Sequence, residues 1–190
     1  LIIEIYKMKR LFFLATIFIS SLSVAQTEKS SWLVGGGLSL RTGNSNSEFS
    51  FNPTAGLFVA NNFLLGGNLN FDYVKQGTIK STGFGIGPIA RYYIGHGNVK
   101  PFAVSEFNFE TLKTKNTSSG IENKTNGINF LFGLGFAAFV NRNIAIEGVS
   151  GYSYSKFKDA DGSSGFILRL GFGLYFNRNN VSDLKSNILD

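Results

Sequence analysis

From Trp32 to Phe176, large apolar residues recur at every second position in run after run. The last run shows it most plainly. In GFILRLGFGLYF, Gly165 to Phe176, one parity holds Phe166, Leu168, Leu170, Phe172, Leu174 and Phe176, and the other holds Arg169, Gly171, Gly173 and Tyr175. A period of two is a strand with two unlike faces. The pattern predicts eight strands, over 32–41, 49–59, 63–74, 82–94, 99–110, 127–139, 144–156 and 165–176. The connections at 43–48, 75–81, 112–126 and 157–164 read as longer and polar, and those at 60–62, 95–98 and 140–143 as short. Long connections on one rim, short ones on the other and an even strand count predict an up-and-down transmembrane barrel with both termini on the short-turn side.

One parity of every strand is assigned to lipid, and no charged residue falls on it. A single Lys or Arg there would cost about 2–4 kcal/mol at mid-membrane. Trp32, Tyr92 and Phe176 fall at one end of this face, and Tyr73, Tyr152 and Tyr154 at the other, as aromatic girdles do. The opposite parity is rich in Gly, Ser, Thr and Asn and holds the strand charges Arg41, Asp72, Arg91, Lys100, Glu106, Glu110, Glu147 and Arg169. Eight strands leave an interior only wide enough for side chains. The expectation is a hydrogen-bonded polar plug, not an open channel. Pro53, Pro88 and Pro101 lie inside predicted strands, where a closed barrel has no edge to hide a missing N–H, so each predicts a bulge or ladder gap.

Composition narrows the class. Charged residues are 16% of the chain, below the roughly 25% of soluble proteins, while aromatics reach 15% with 20 Phe. There is no Cys, which excludes disulfides, thiolate metal sites and a lipid-modified N-terminal cysteine. A net charge of +6 raises the question of nucleic acid, but no basic stripe or helix concentrates the charge, and none is expected as a partner.

Met8-Lys9-Arg10, the apolar run Leu11–Leu22 and the small residues Ser23-Val24-Ala25 read as a secretory signal peptide over 1–25, with 1–7 an upstream extension. The apolar run is short of the ~20 residues a spanning helix needs. Its removal takes three basic and one acidic residue, lowering the net charge to +4. The expected organisation is then a periplasmic lead at 26–31, the barrel at 32–176 and a polar C-terminal tail at 177–190.

Two local stretches and the whole-chain pattern resemble the small eight-stranded outer-membrane barrels of the OmpA, OmpX and OmpW type. Gly87-Pro88-Ile89-Ala90-Arg91-Tyr92-Tyr93 is similar to a strand pattern of such barrels. Arg169, Gly171, Leu174 and Phe176 fit their assembly signal, although a tail follows where the signal ordinarily closes the chain. The resemblance implies a bacterial outer-membrane location and recognition of the last strand by the barrel-assembly machinery. The resemblance does not extend to the peptidoglycan-binding domain of OmpA, so no cell-wall tether is expected.

Candidate chemistry is sparse. His96, the sole histidine, lies in a short turn on the predicted periplasmic side, away from the outer rim where small barrel enzymes carry a His, Ser and Asp set. Asp159-Ala160-Asp161-Gly162 lacks the later ligands of a calcium loop and reads as a turn. The glycine runs at 35–37 and 83–87 precede no helix and fail the phosphate-loop spacing. No catalytic residue, metal or cofactor is expected. Lys113, Lys115, Lys124, Lys156 and Lys158 read as loop lysines able to meet the phosphates of outer-membrane lipid and lipopolysaccharide, or an unidentified loop ligand.

The expectation is an all-β integral outer-membrane protein, non-enzymatic, with a structural or adhesin-like surface-binding role through its extracellular loops. A narrow porin-like pore for small solutes is the first alternative. A soluble lipocalin-like ligand-binding barrel is the second, and an outer-membrane enzyme the third.

Overall fold

The alternation is realised throughout. The computed structural model describes residues 26–42, 46–158 and 160–177. The expected signal segment, Asp159 and the tail from 178 onward lie outside them. The described residues form eight strands: β1 (Trp32–Thr42), β2 (Asn46–Ala60), β3 (Phe63–Gln76), β4 (Ile79–Tyr93), β5 (Val99–Asn116), β6 (Glu122–Phe139), β7 (Ile144–Phe157) and β8 (Ser163–Phe176). Each pairs antiparallel with the next, and β8 returns to β1, closing the barrel.

At the short-turn end every strand boundary agrees with the predicted one to within a residue. At the opposite end the strands run on. β5 and β6 form a continuous ladder out to Lys115–Glu122, so most of the stretch 112–126 predicted as a long loop is hairpin. β3 and β4 pair out to Gln76–Ile79, leaving Gly77 and Thr78 as a tight turn, with Gly77 at φ 57°. The two rims therefore differ less in loop length than predicted. The difference lies in how far the strands project. Thr, Lys and Asn in these extensions carry no apolar alternation, yet the backbone ladder and pairs such as Thr111 Oγ1 donating to Asn126 Oδ1 at 2.9 Å hold them as strand.

The prolines act as expected at two of three positions. The β2–β3 ladder skips from Phe51–Phe71 to Thr54–Asn68 around Pro53, and the β4–β5 ladder skips from Ile86–Phe109 to Ile89–Glu106 around Pro88. Register is kept across both gaps. At Pro101 the β5–β6 ladder runs through without a gap, because the proline nitrogen faces β4, where Ile94 N–H donates to the Pro101 carbonyl at 2.8 Å and the ladder proper ends at Tyr93–Phe102. The register shift in β2–β3 lies elsewhere, between Phe58 and Ala60.

Closure is short. β1 and β8 pair from Trp32–Phe176 up to Leu38–Leu170. At this seam a Cβ on Gly171 would run into the carbonyl oxygen of Gly36, so only glycine lets the two backbones meet.

The predicted faces hold in all eight strands. Phe166, Leu168 and Leu134 are 74%, 73% and 67% exposed, whereas inward-facing Phe58 and Leu64 are fully buried. On β3 the outward face from Phe63 to Tyr73, at about 3.3 Å per residue and a tilt near 40°, rises about 25 Å, the height of a membrane barrel's apolar band. Trp32 and Phe176 are register partners at the short-turn rim, with Tyr92 beside Phe63. Tyr73, Tyr152 and Tyr154 stand outward at the far end. The exterior is that of a membrane-spanning barrel.

Candidate functional site

The predicted lumen charges do not form one network. They are sorted by height. Lowest is Lys100, which donates to Thr27 Oγ1 at 3.0 Å and lies 5.8 Å from the centre of the Phe139 ring. Thr27 belongs to the lead, Gln26–Ser31, which folds beneath the barrel mouth. It is held by Ser30 N–H to Phe58 O at 2.8 Å and by Asn62 N–H to Thr27 O at 2.7 Å.

Above this lies the first buried ion pair. Arg91 Nη1 donates to Glu147 Oε2 at 2.8 Å, and Tyr175 donates its hydroxyl to Glu147 Oε1 at 2.7 Å. The Tyr93 and Tyr175 hydroxyls are 3.0 Å apart, and the Arg91 guanidinium lies 5.0 Å from the centre of the Phe102 ring. A charge buried in this way persists only when paired and hydrogen-bonded. A second pair sits higher: Arg169 Nη1 donates to Glu106 Oε1 at 2.8 Å, with Asn68 Nδ2 at 3.4 Å from Glu106 Oε2. Between the two pairs the free space is about 10 Å³, room for one water at most.

Large apolar side chains fill the lower lumen around these groups. Leu33, Phe58, Leu64, Ile89, Phe102, Val104 and Phe139 are buried there with Tyr93 and Tyr175. Phe58, Tyr93, Phe102, Phe139 and Tyr175 are in mutual ring contact at 4.8–6.3 Å. This corrects the expected lining of glycine, polar residues and charge. The polar plug is only the middle layer, and the lower seal is aromatic. The signal was present, since each of these residues has the inward parity, clustered at the short-turn ends of the strands.

Above Arg169 the lumen widens into a polar cavity of about 340 Å³. Its walls include Glu48, Ser50, Asn70, Asp72, Glu110, Asn129 and Ser153, and Arg169 forms part of its floor. Asn52 Nδ2 donates to Asn70 Oδ1 at 2.9 Å, and Asn129 Nδ2 to Ser153 and Ser155 Oγ at 2.9 and 2.7 Å. Asp72 and Glu110 thus line an opening and take no part in the ion pairs. The side chain of Arg41 lies outside the described set.

No family model matches the chain, and no curated protein matches its sequence. Solved structures do. The N-terminal β-barrel domain of OprF from Pseudomonas aeruginosa superimposes with a TM-score of 0.51 at 14% identity, covering 78% of this chain and 98% of that one. A major outer membrane protein from Thermus thermophilus gives 0.50 at 10% identity, covering 77% and 99%. The fold is that of the small outer-membrane barrels.

Within this outer-membrane barrel fold the remaining candidate residues fall on the outside or at the rims. Gly171 is in the β1–β8 seam, and Leu174 and Phe176 have the outward parity beside it. Lys113 and Lys115 are on β5, Lys124 on β6 and Lys156 on β7, so four of the five predicted loop lysines are strand residues, and Lys158 is in the following turn. All five are exposed. Lys113 Nζ is 2.7 Å from Glu122 Oε1, and that contact holds the Glu122 carboxyl below its usual range. His96 is exposed in the turn between β4 and β5, at the opposite end of the barrel from the polar cavity.

Proposed function

We propose that the protein is a closed, non-conducting barrel of the bacterial outer membrane that acts from its outer rim. The observation that carries this reading is the sealed lower lumen, where an aromatic cluster and the Arg91–Glu147 pair leave no passage and the lead covers the mouth. The short-turn end, which also carries the lead and the end of β8, faces the periplasm in this reading. The projecting β5–β6 hairpin and the polar cavity then face the cell exterior, where a binding or structural role is exercised. A non-enzymatic role is supported by the position of His96, far from the cavity. A lipocalin-like role would need an apolar pocket inside and charge outside, the reverse of what these faces carry. The assembly machinery is taken to engage β8, whose seam glycine Gly171 and outward Leu174 and Phe176 match the signal.

Conductance across a planar bilayer tests the proposal. The purified barrel is expected to give no steady current. A stable ohmic step from the unmodified protein would overturn the sealed reading in favour of a narrow pore.

A further inference from the structure

Strand register assembles an array of lysines that the sequence scattered. Lys75 on β3 pairs with Lys80 on β4, and Lys80 pairs with Lys115 on β5. Two residues nearer the belt, Lys113 pairs with Lys124 across β5 and β6. Directly opposed residues on neighbouring strands hold their Cβ atoms about 4.5–5.5 Å apart, and like charges there repel. Folding has therefore placed cations side by side in two successive rows. Among the described residues the ion pair in these rows is Lys113–Glu122, and Glu122 is also the register partner of Lys115, whereas Lys75, Lys80 and Lys124 have no ion pair.

Their face and height point to the partner. All five continue the outward, lipid-facing parity of their strands. Lys75 stands two residues beyond Tyr73, Lys80 four from Phe84, Lys113 four from Phe109 and Lys124 four from Ile128. At about 3.3 Å per residue on tilted strands, Lys75 stands roughly 5 Å above the apolar belt, Lys80, Lys113 and Lys124 roughly 10 Å, and Lys115, six residues from Phe109, roughly 15 Å. A headgroup layer is roughly 5–8 Å deep on each side of the hydrocarbon. Lysines that protruded from loop tips would face water. These stand at the headgroup layer and just above it, on the lipid-facing side, and their long stems reach back toward the phosphates. Adjacent strands are about 4.8 Å apart, so the row Lys75–Lys80–Lys115 spans about 10 Å, wide enough for more than one phosphate.

We infer that the outward face of β3–β6 is a binding site for a multiply phosphorylated lipid headgroup of the surrounding leaflet. The inference rests on the membrane reading above. The lipid lies with its chains along the belt below the lysines and its phosphates between the rows, relieving their mutual repulsion.

The test uses the full barrel refolded into phosphatidylcholine vesicles doped with diphosphoryl lipid A, extracted in mild detergent, with retained lipid counted by mass spectrometry. The wild type is expected to retain lipid A in preference to phosphatidylcholine. The triple variant Lys75→Gln/Lys80→Gln/Lys115→Gln is expected to lose about a hundredfold of that preference, from roughly fivefold per lysine near a charged lipid surface. The corresponding triple Arg variant should keep it. Equal retention by wild type and the Gln variant, with both showing heat-modifiable migration, overturns the lipid site and leaves the barrel reading intact. A wild type that never becomes heat-modifiable in vesicles overturns the membrane reading, and the lipid site with it.

Discussion

The lower and upper halves of the lumen are built from the same inward parity of the same strands, yet they do opposite things. Below, Phe58, Tyr93, Phe102, Phe139 and Tyr175 pack ring against ring around Arg91 and Glu147 and fill the space. Above, Ser50, Asn70, Asp72, Glu110 and Asn129 leave a cavity of about 340 Å³ open to the hairpin end. The strands and the barrel radius are shared, so side-chain volume makes the difference. Aromatic rings bury 150–250 Å² each and fill a lumen that Ser and Asn leave hollow. The seam contributes as well, since β1 and β8 pair only as far as Leu38–Leu170, and β8 residues 166–169 help to wall the cavity above that point. An eight-stranded barrel is thus not closed by its strand number alone. The bulk of its inward residues decides, level by level.

The largest expected contrast is in chemical access. The chain has no cysteine, so one introduced thiol reports one position. Ser153→Cys in the cavity wall should react with a small charged maleimide in the folded barrel, while Ala145→Cys, fully buried below, should stay unlabelled until the barrel is denatured. Labelling of both at similar rates would erase the distinction between the halves.

Next is the ion pair that centres the seal. Glu147→Ala leaves the Arg91 guanidinium buried without its carboxylate and should lower unfolding free energy by about 3–5 kcal/mol. Arg91→Ala/Glu147→Ala together should cost less than the sum of the two single changes, because removing both charges removes the uncompensated one. Urea titration of the vesicle-embedded barrel measures each, and additive losses would show that the pair does not act as a unit.

Smaller still is Tyr175→Phe, which keeps the ring packing and removes the hydroxyl that donates to Glu147. It should cost about 1–3 kcal/mol, the penalty for an acceptor losing a buried donor, in the same titration. No loss would mean that the rings seal the lower half without help from their hydroxyls.

Several features were legible before any coordinates. Leu168 and Leu170 had to face away from Arg169 and Gly171, since alternation along a strand is local geometry. The girdle residues Trp32, Tyr73, Tyr92, Tyr152, Tyr154 and Phe176 followed from the same parity. The β5–β6 extension did not, because Thr111–Asn116 and Glu122–Asn126 carry no hydrophobic rhythm and owe their strand state to the ladder between them. The lysine rows were equally hidden: Lys75 and Lys115 lie forty residues apart in the chain and are brought within two strands of each other only by register.

The chain by itself determined that there are strands, which side of each meets hydrocarbon, and which residues are left to fill the interior. Tertiary structure alone decided that Arg91 of β4 finds Glu147 of β7, that Glu106 of β5 finds Arg169 of β8, and that Thr27 of the lead finds Lys100. Facing is set one residue at a time by the pleat. Contacts across a lumen depend on how every strand is staggered against the next and on where the first meets the last.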